Sequence, residues 1–236
     1  MELRTKIKTL IKKQLALLLT ITLTGAAYLP GQTRVYKEKE GEKVTFHRIQ
    51  IEPTTVGYTI NLTSESGSKH TVQKFQLDTE LATLSWSYEA PHTKTKITAF
   101  RKENKIFLQG IDDGDPVEKT FKINEFPWNQ TFNIGLEKFA LSPEESMKFW
   151  AIGTSGPGNM KITKFNVKRK EIETITLNSM EQPIEAIHFT ISLTGLLSMF
   201  WTGHYWFRKS DGRFLKFSGK NRASGPVAVS ELISES

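Results

Sequence analysis

The feature that most constrains this chain is a rhythm. From Val44 onward, short runs rich in Val, Ile, Thr, Phe, Tyr and Trp recur, and each is closed by turn residues. "VTFHRIQI" (44–51) stops at Glu52-Pro53, and "VGYTINLTSE" (56–65) stops at Ser66-Gly67-Ser68. "TVQKFQL" (71–77), "TLSWSYE" (83–89), "KTKITAFR" (94–101), "KIFLQG" (105–110) and "VEKTFKI" (117–123) continue the series. β-Branched and aromatic residues suit a pleated, half-buried surface, and strands at such regular spacing predict a sandwich or barrel. "IDDGDP" between the last two runs reads as a hairpin loop, because Asp and Gly tolerate turn dihedrals. In "EAIHFTISL" (185–193), Ile187, Phe189, Ile191 and Leu193 share one face while His188, Thr190 and Ser192 share the other. That alternation belongs to an antiparallel sheet with one wet face.

The predicted fold class is therefore all-β: a strongly curved antiparallel sheet or open half-barrel with one short helix. The helix is expected in "LSPEESMKFW" (141–150), where Ser142 would be the N-cap, Pro143 the first helical residue and Glu145 the closing member of a capping box. "FWAIGTSGPGNM" (149–160) reads as a loop inside a single β-rich domain covering residues 28–236.

Residues 1–27 have a different character. Arg4, Lys6, Lys8, Lys12 and Lys13 face a lone Glu2, an uncharged apolar stretch (15–25) follows, and Ala26 and Ala27 close the segment. A basic start, a short apolar core and a small-residue exit predict a Sec-type signal peptide cut near Ala27-Tyr28, and hence a periplasmic or secreted protein. The run falls short of the roughly 20 residues that span a bilayer. This segment carries +4 of the formal +7 charge, leaving about +3 over the remaining 209 residues. So weak a basic balance gives no case for nucleic-acid binding. The chain has no cysteine, which excludes disulfides, thiolate metal sites and a cysteine nucleophile. A body of this length can instead bury roughly 70% of its unfolded surface in an ordinary core.

No catalytic motif survives inspection. "GTSGPG" (153–158) lacks the Lys of a phosphate loop, and Pro157 stands where a nucleophile elbow needs glycine, so a tight turn is expected there. "DDGD" (112–115) does not follow the EF-hand pattern. The five histidines, His47, His70, His92, His188 and His204, never sit at close ligand spacing, so they are expected to be structural, with no metal and no cofactor.

The densest aromatic stretch is "GLLSMFWTGHYWFRKSDGRF" (195–214). An Asp-Gly pair at 211–212 between aromatic runs signals a hairpin. Trp206 and Arg208 would share one face, and Tyr205 and Phe207 the other. Two readings follow: a central strand buried on both sides, or the concave face of a curved sheet lined by aromatics for an apolar ligand. In the second, Trp201, Tyr205, Trp206, Phe207 and Phe217 line that face or the core beneath it, and Arg208, whose planar fork suits carboxylate or phosphate, meets an anionic headgroup.

The run "YWFRKSDGRFLKFSGKNRASGPVAVSELI" (205–233) resembles bacterial exported proteins of the DUF3108 family, through the aromatic-Trp-aromatic-Arg run, the Asp211-Gly212 turn and the Gly225-Pro226 step before a last apolar strand. The resemblance implies a curved half-barrel similar to periplasmic lipoprotein carriers, and it brings no catalytic residues. The expectation is a non-catalytic envelope protein holding a lipid-like or apolar small molecule, with peripheral membrane contact. A scaffold that binds another envelope protein is the alternative, and a hydrolase is a third.

Overall fold

The computed structural model describes residues 31–154, 159–195, 201–221 and 225–236. The leader (1–27), the glycine turn at 155–158 and residues 196–200 of the aromatic stretch lie outside the described residues. The first half of the chain forms β1 (Gln32–Glu40), β2 (Lys43–Thr54), β3 (Gly57–Ser66), β4 (Lys69–Leu77), β5 (Thr83–Ala90), β6 (Thr95–Lys102), β7 (Lys105–Asp112) and β8 (Asp115–Lys122). Two short helices follow, α1 (Phe132–Gly135) and α2 (Glu137–Leu141). The second half forms β9 (Ser146–Thr154), β10 (Met160–Ile175), β11 (Ile184–Leu193), β12 (Thr202–Arg208), β13 (Phe214–Lys220) and β14 (Val227–Glu235).

All these strands join one antiparallel sheet in the order β8-β7-β6-β5-β4-β3-β2-β1-β14-β13-β12-β11-β10-β9. Each half is a meander of sequential hairpins, and among the described strands the two ladders join where β1 pairs with β14. The turns do what their residues allow. Asp113 and Gly114 both take positive φ and close a two-residue hairpin between Asp112 and Asp115, the primed geometry that matches strand twist. Gly57 (φ +148°) sits where a Cβ would stand 2.0 Å from the Leu77 carbonyl oxygen, so only glycine lets β3 pass that close to the end of β4.

The sheet curls without closing. Its concave face carries the core, with Tyr36, Ile49, Ile60, Phe75, Ile97, Leu108, Phe149, Phe189 and Phe207 all buried. The segment between β8 and α1 crosses the gap between the sheet's two ends. Trp150 N–H donates to the Pro127 carbonyl, Asn129 N–H to the Trp150 carbonyl, and Thr83 N–H to the Trp128 carbonyl, with Trp128 fully buried. Lys119 of β8 also donates to the Met160 carbonyl across the gap. A strut of irregular chain and side chains therefore stands where a closed barrel would have a ladder.

The helices fill the hollow, and their position corrects the sequence reading. They occupy 132–141, whereas 146–154 is β9. Ser142 does not start a helix. It ends α2, its hydroxyl donating to the Phe139 carbonyl and accepting from Glu144 N–H. Phe149 and Ala151 alternate inward along β9, and this period of two overrides the local cap signal. The loop expected at 149–160 is correspondingly shorter, since strand runs to Thr154 and resumes at Met160. The last carbonyls of α2 are capped by Arg169 of β10, which donates to the Phe139, Ala140 and Ser142 oxygens, a cation at a helix C-terminus.

One buried ion pair ties helix to sheet. Arg34 of β1 is fully buried and bonds to both carboxylate oxygens of Glu137, and its guanidinium also donates to Gln32 at 2.8 Å. Glu137 in turn accepts the Phe214 N–H of β13 at 3.1 Å.

Candidate functional site

Period-two alternation decides which side chains of the aromatic stretch can meet. In β12, Gly203, Tyr205 and Phe207 point inward, paired with Gly219, Phe217 and Phe214 of β13. The Gly203–Gly219 pair leaves room for rings, since a Cβ on either would stand about 3 Å from the Phe217 ring. Phe217 therefore lies over the glycines and packs against Tyr205 with ring centroids 4.9 Å apart. From β10, two strands along the same half of the sheet, Phe165 meets Trp201 edge-on at 5.7 Å and stacks on Phe149 at 5.4 Å, and Phe132 of α1 closes the group.

These rings border a cavity of about 520 Å³ on the concave side. Its apolar wall includes Leu62, Phe75, Phe132, Phe165, Trp201 and Phe217, contributed by both halves of the sheet and by α1. Glu38, His47, Gln130, Asn133 and Asn221 supply the polar groups. Most of these are already satisfied. Asn221 donates to Glu38 at 3.1 Å, His47 contacts Ser64 at 2.8 Å, and Gln130 bonds Ile152 through both amide ends. Burial, the largest influence on Glu38, pushes its carboxyl up, but the His47 imidazole, 3.8 Å away, and the hydrogen bond from Asn221 outweigh it and hold the group below the usual carboxylate range. Burial pushes the Tyr205 phenol far above its ordinary value, so it stays protonated. The arrangement offers an apolar space whose polar groups are largely paired with one another.

The six residues singled out from the sequence divide. Trp201, Tyr205 and Phe217 border the cavity. Phe207 lies below it, fully buried against Phe189 and Phe214. Trp206 and Arg208 point to the opposite, convex face. Arg208 is engaged there by Asp211 at 3.0 Å and Glu235 at 2.6 Å, and Arg213 reaches the same two carboxylates. A guanidinium so placed meets no ligand in the cavity, which corrects the expected headgroup role of Arg208 and the expected lining role of Trp206.

Trp206 belongs to a second constellation, one that sequence spacing missed. Across β11 to β14 the register sets His188, Trp206, Lys216 and Glu231 in one row. The His188 and Trp206 rings stack at 4.8 Å and 8°, Lys216 lies 5.9 Å over the indole, and its ammonium pairs with Glu231 at 2.8 Å. His204 approaches diagonally, its Nδ1 2.9 Å from His188 Nε2. Burial, with the charge of His188 second, pushes the His204 imidazole below its ordinary pKa. The alternation in 185–193 and 202–208 held the signal, since His188 and His204 are both outward on strands joined by one hairpin.

No family model matches the chain, and no curated protein matches it, so the likeness to DUF3108 rests on residues 205–233 alone. Among the described residues no helix is long and apolar enough to cross a membrane. The chain is similar in structure to the hypothetical lipoprotein YmcC from Escherichia coli (K12), at a TM-score of 0.36 and 13% identity over 87% of this chain and 85% of that one. It is also similar to the beta-barrel-like protein of domain of unknown function DUF1849 from Brucella abortus, with a TM-score of 0.60, 8% identity, and coverage of 89% of this chain and 98% of that chain. At that identity the likeness establishes the architecture: an all-β, open, barrel-like sheet shared with an uncharacterised bacterial protein.

Proposed function

We propose that this chain is a non-catalytic exported envelope protein that holds a lipid-like or other apolar ligand in its concave cavity. The observation that carries the reading is the cavity itself: about 520 Å³, walled by aromatic and aliphatic side chains from strands distant in sequence. Small-molecule sites fall in the range of roughly 300–1,000 Å³, apolar with a few orienting polar groups. The signal-peptide pattern of residues 1–27 supports export. The scaffold alternative finds less support, because the edge strand β8 carries Pro116 and Lys122, residue types that deter strand addition.

The test is titration of the full chain with a dansyl-labelled undecanoic acid, followed by the blue shift of the probe. Saturable one-to-one binding that is lost in Leu62→Trp and Thr163→Trp, which fill the space, is the expected result. Binding that never saturates, or that ignores both filling substitutions, overturns the proposal.

A further inference from the structure

The convex-face cluster is independent of the cavity, and the geometry points to a divalent transition-metal site formed by Glu171, Glu173 and His188, with His204 supporting it from behind. One ligand atom from each of the three lies within 4.8 Å of the other two. β10 supplies both carboxylates, Glu171 from within a bulge between Arg169 and Ile172 and Glu173 from just past it, and bulges commonly re-aim side chains beside functional sites. β11 supplies the imidazole from the neighbouring strand.

Three details distinguish this cluster from a casual group of charges. First, His188 Nδ1 is buried and lies 2.7 Å from a Glu173 oxygen, yet the two make no hydrogen bond. Two donor atoms this close with no hydrogen bond between them are placed as neighbours around a third centre. Donors on a tetrahedral ion at about 2.0–2.1 Å stand roughly 3.3 Å apart, so only a small parting of the two is needed. Second, both donors are held in place from outside. Trp206 Nε1 donates to the other Glu173 oxygen at 2.9 Å, and the indole stacks on the His188 ring. Third, His188 Nε2 faces His204 Nδ1 at 2.9 Å. With Nδ1 on a metal, Nε2–H donates to His204. A ligating histidine commonly anchors its second nitrogen in this way, and loss of such a partner typically costs about 10- to 100-fold in metal affinity.

One imidazole and two carboxylates suit Zn²⁺ and its first-row neighbours. Ca²⁺ and Mg²⁺ take six or more oxygens and are disfavoured here.

The experiment is calorimetric titration of Zn²⁺ into the full chain, purified without a histidine tag. One site is expected, with affinity falling at least tenfold in His188→Ala and in Glu173→Gln, falling also in His204→Ala, and unchanged by excess Ca²⁺. Cu²⁺ should quench part of the tryptophan emission in the wild type, and that part should vanish in Trp206→Phe, whose Zn²⁺ affinity should also fall because Glu173 loses the indole donor. A thermal melt without metal shows whether each variant remains folded. For a folded variant, Zn²⁺ affinity equal to wild type in His188→Ala, or no Zn²⁺ binding by the wild type at micromolar concentration, overturns the proposal.

Discussion

The Arg34–Glu137 pair lends itself to a quantitative test. Arg34 is fully buried and Glu137 nearly so, and the pair joins β1 to α2 and, through Phe214 N–H, to β13. Arg34→Met keeps most of the volume but leaves a buried carboxylate without its countercharge. Removing one partner of such a pair costs about 3–5 kcal/mol, because the remaining charge is desolvated and uncompensated. Against a typical total stability of about 5–15 kcal/mol, that is a large fraction. Adding Glu137→Leu removes the stranded charge, and the residual loss should shrink to about 1–3 kcal/mol, the cost of the orphaned Phe214 donor. The double variant is thus expected to be more stable than Arg34→Met alone. Urea unfolding followed by tryptophan fluorescence, arranged as a double-mutant cycle, reads both quantities. A loss below about 1 kcal/mol for Arg34→Met, or additive losses in the double variant, would refute the claim that the charges depend on each other.

Three further outcomes are expected. Glu38, Glu231 and Glu235 are held below their ordinary carboxylate pKa despite burial, by hydrogen bonds and by the neighbouring His47, Lys216 and the Arg208–Arg213 pair respectively. Their folded pKa values lie below the unfolded ones, so their stabilisation is complete above the ordinary value of 4.5 and disappears as pH falls through the lowered values; urea midpoints that hold constant between pH 6 and pH 3 would contradict this. Gly57→Ala should destabilise by more than about 1 kcal/mol, since the added methyl meets the Leu77 carbonyl in a backbone region closed to L-residues; an unchanged melting temperature would show that β3 can shift. Arg208→Ala and Trp206→Phe should leave binding of the dansyl probe unchanged, because both side chains are on the convex face, and a weakened titration curve would place them in the ligand's path.

Fold class was legible because β-structure records itself twice, in residue type and in a period of two. The faces of 185–193 and 202–208 followed from alternation alone, and Tyr205 and Phe207 point inward as that pattern requires. Pairing between distant strands was not legible. Nothing local says that β1 should lie beside β14, so nothing local could bring Arg34 to Glu137 or Leu62 to Phe165. The helix was misplaced for a related reason. Ser142-Pro143-Glu144-Glu145 satisfies the chemistry of a helix start, but the same groups serve equally well to end one, and only the inward register of Phe149 and Ala151 decides. The misassigned roles of Arg208 and Trp206 came from treating an aromatic run as one surface, when a strand always distributes it over two. Histidines at unlike spacings were discounted, although strands set side by side make sequence spacing irrelevant.

The meeting of β1 with β14 has a consequence for when this molecule can come into being. Thr33 and Ser236 exchange backbone hydrogen bonds, each at 2.9 Å, so the first described strand and the last close on each other. Until the ribosome has released Val227–Glu235, each meander ends in an unsatisfied edge and the hollow lacks a wall. Structure spanning both halves must therefore await the arrival of β14. By the same topology, a peptide link from Ser236 back to Gly31, with a cut in the stretch before β9, would convert the two meanders into one unbroken zigzag from β9 to β8.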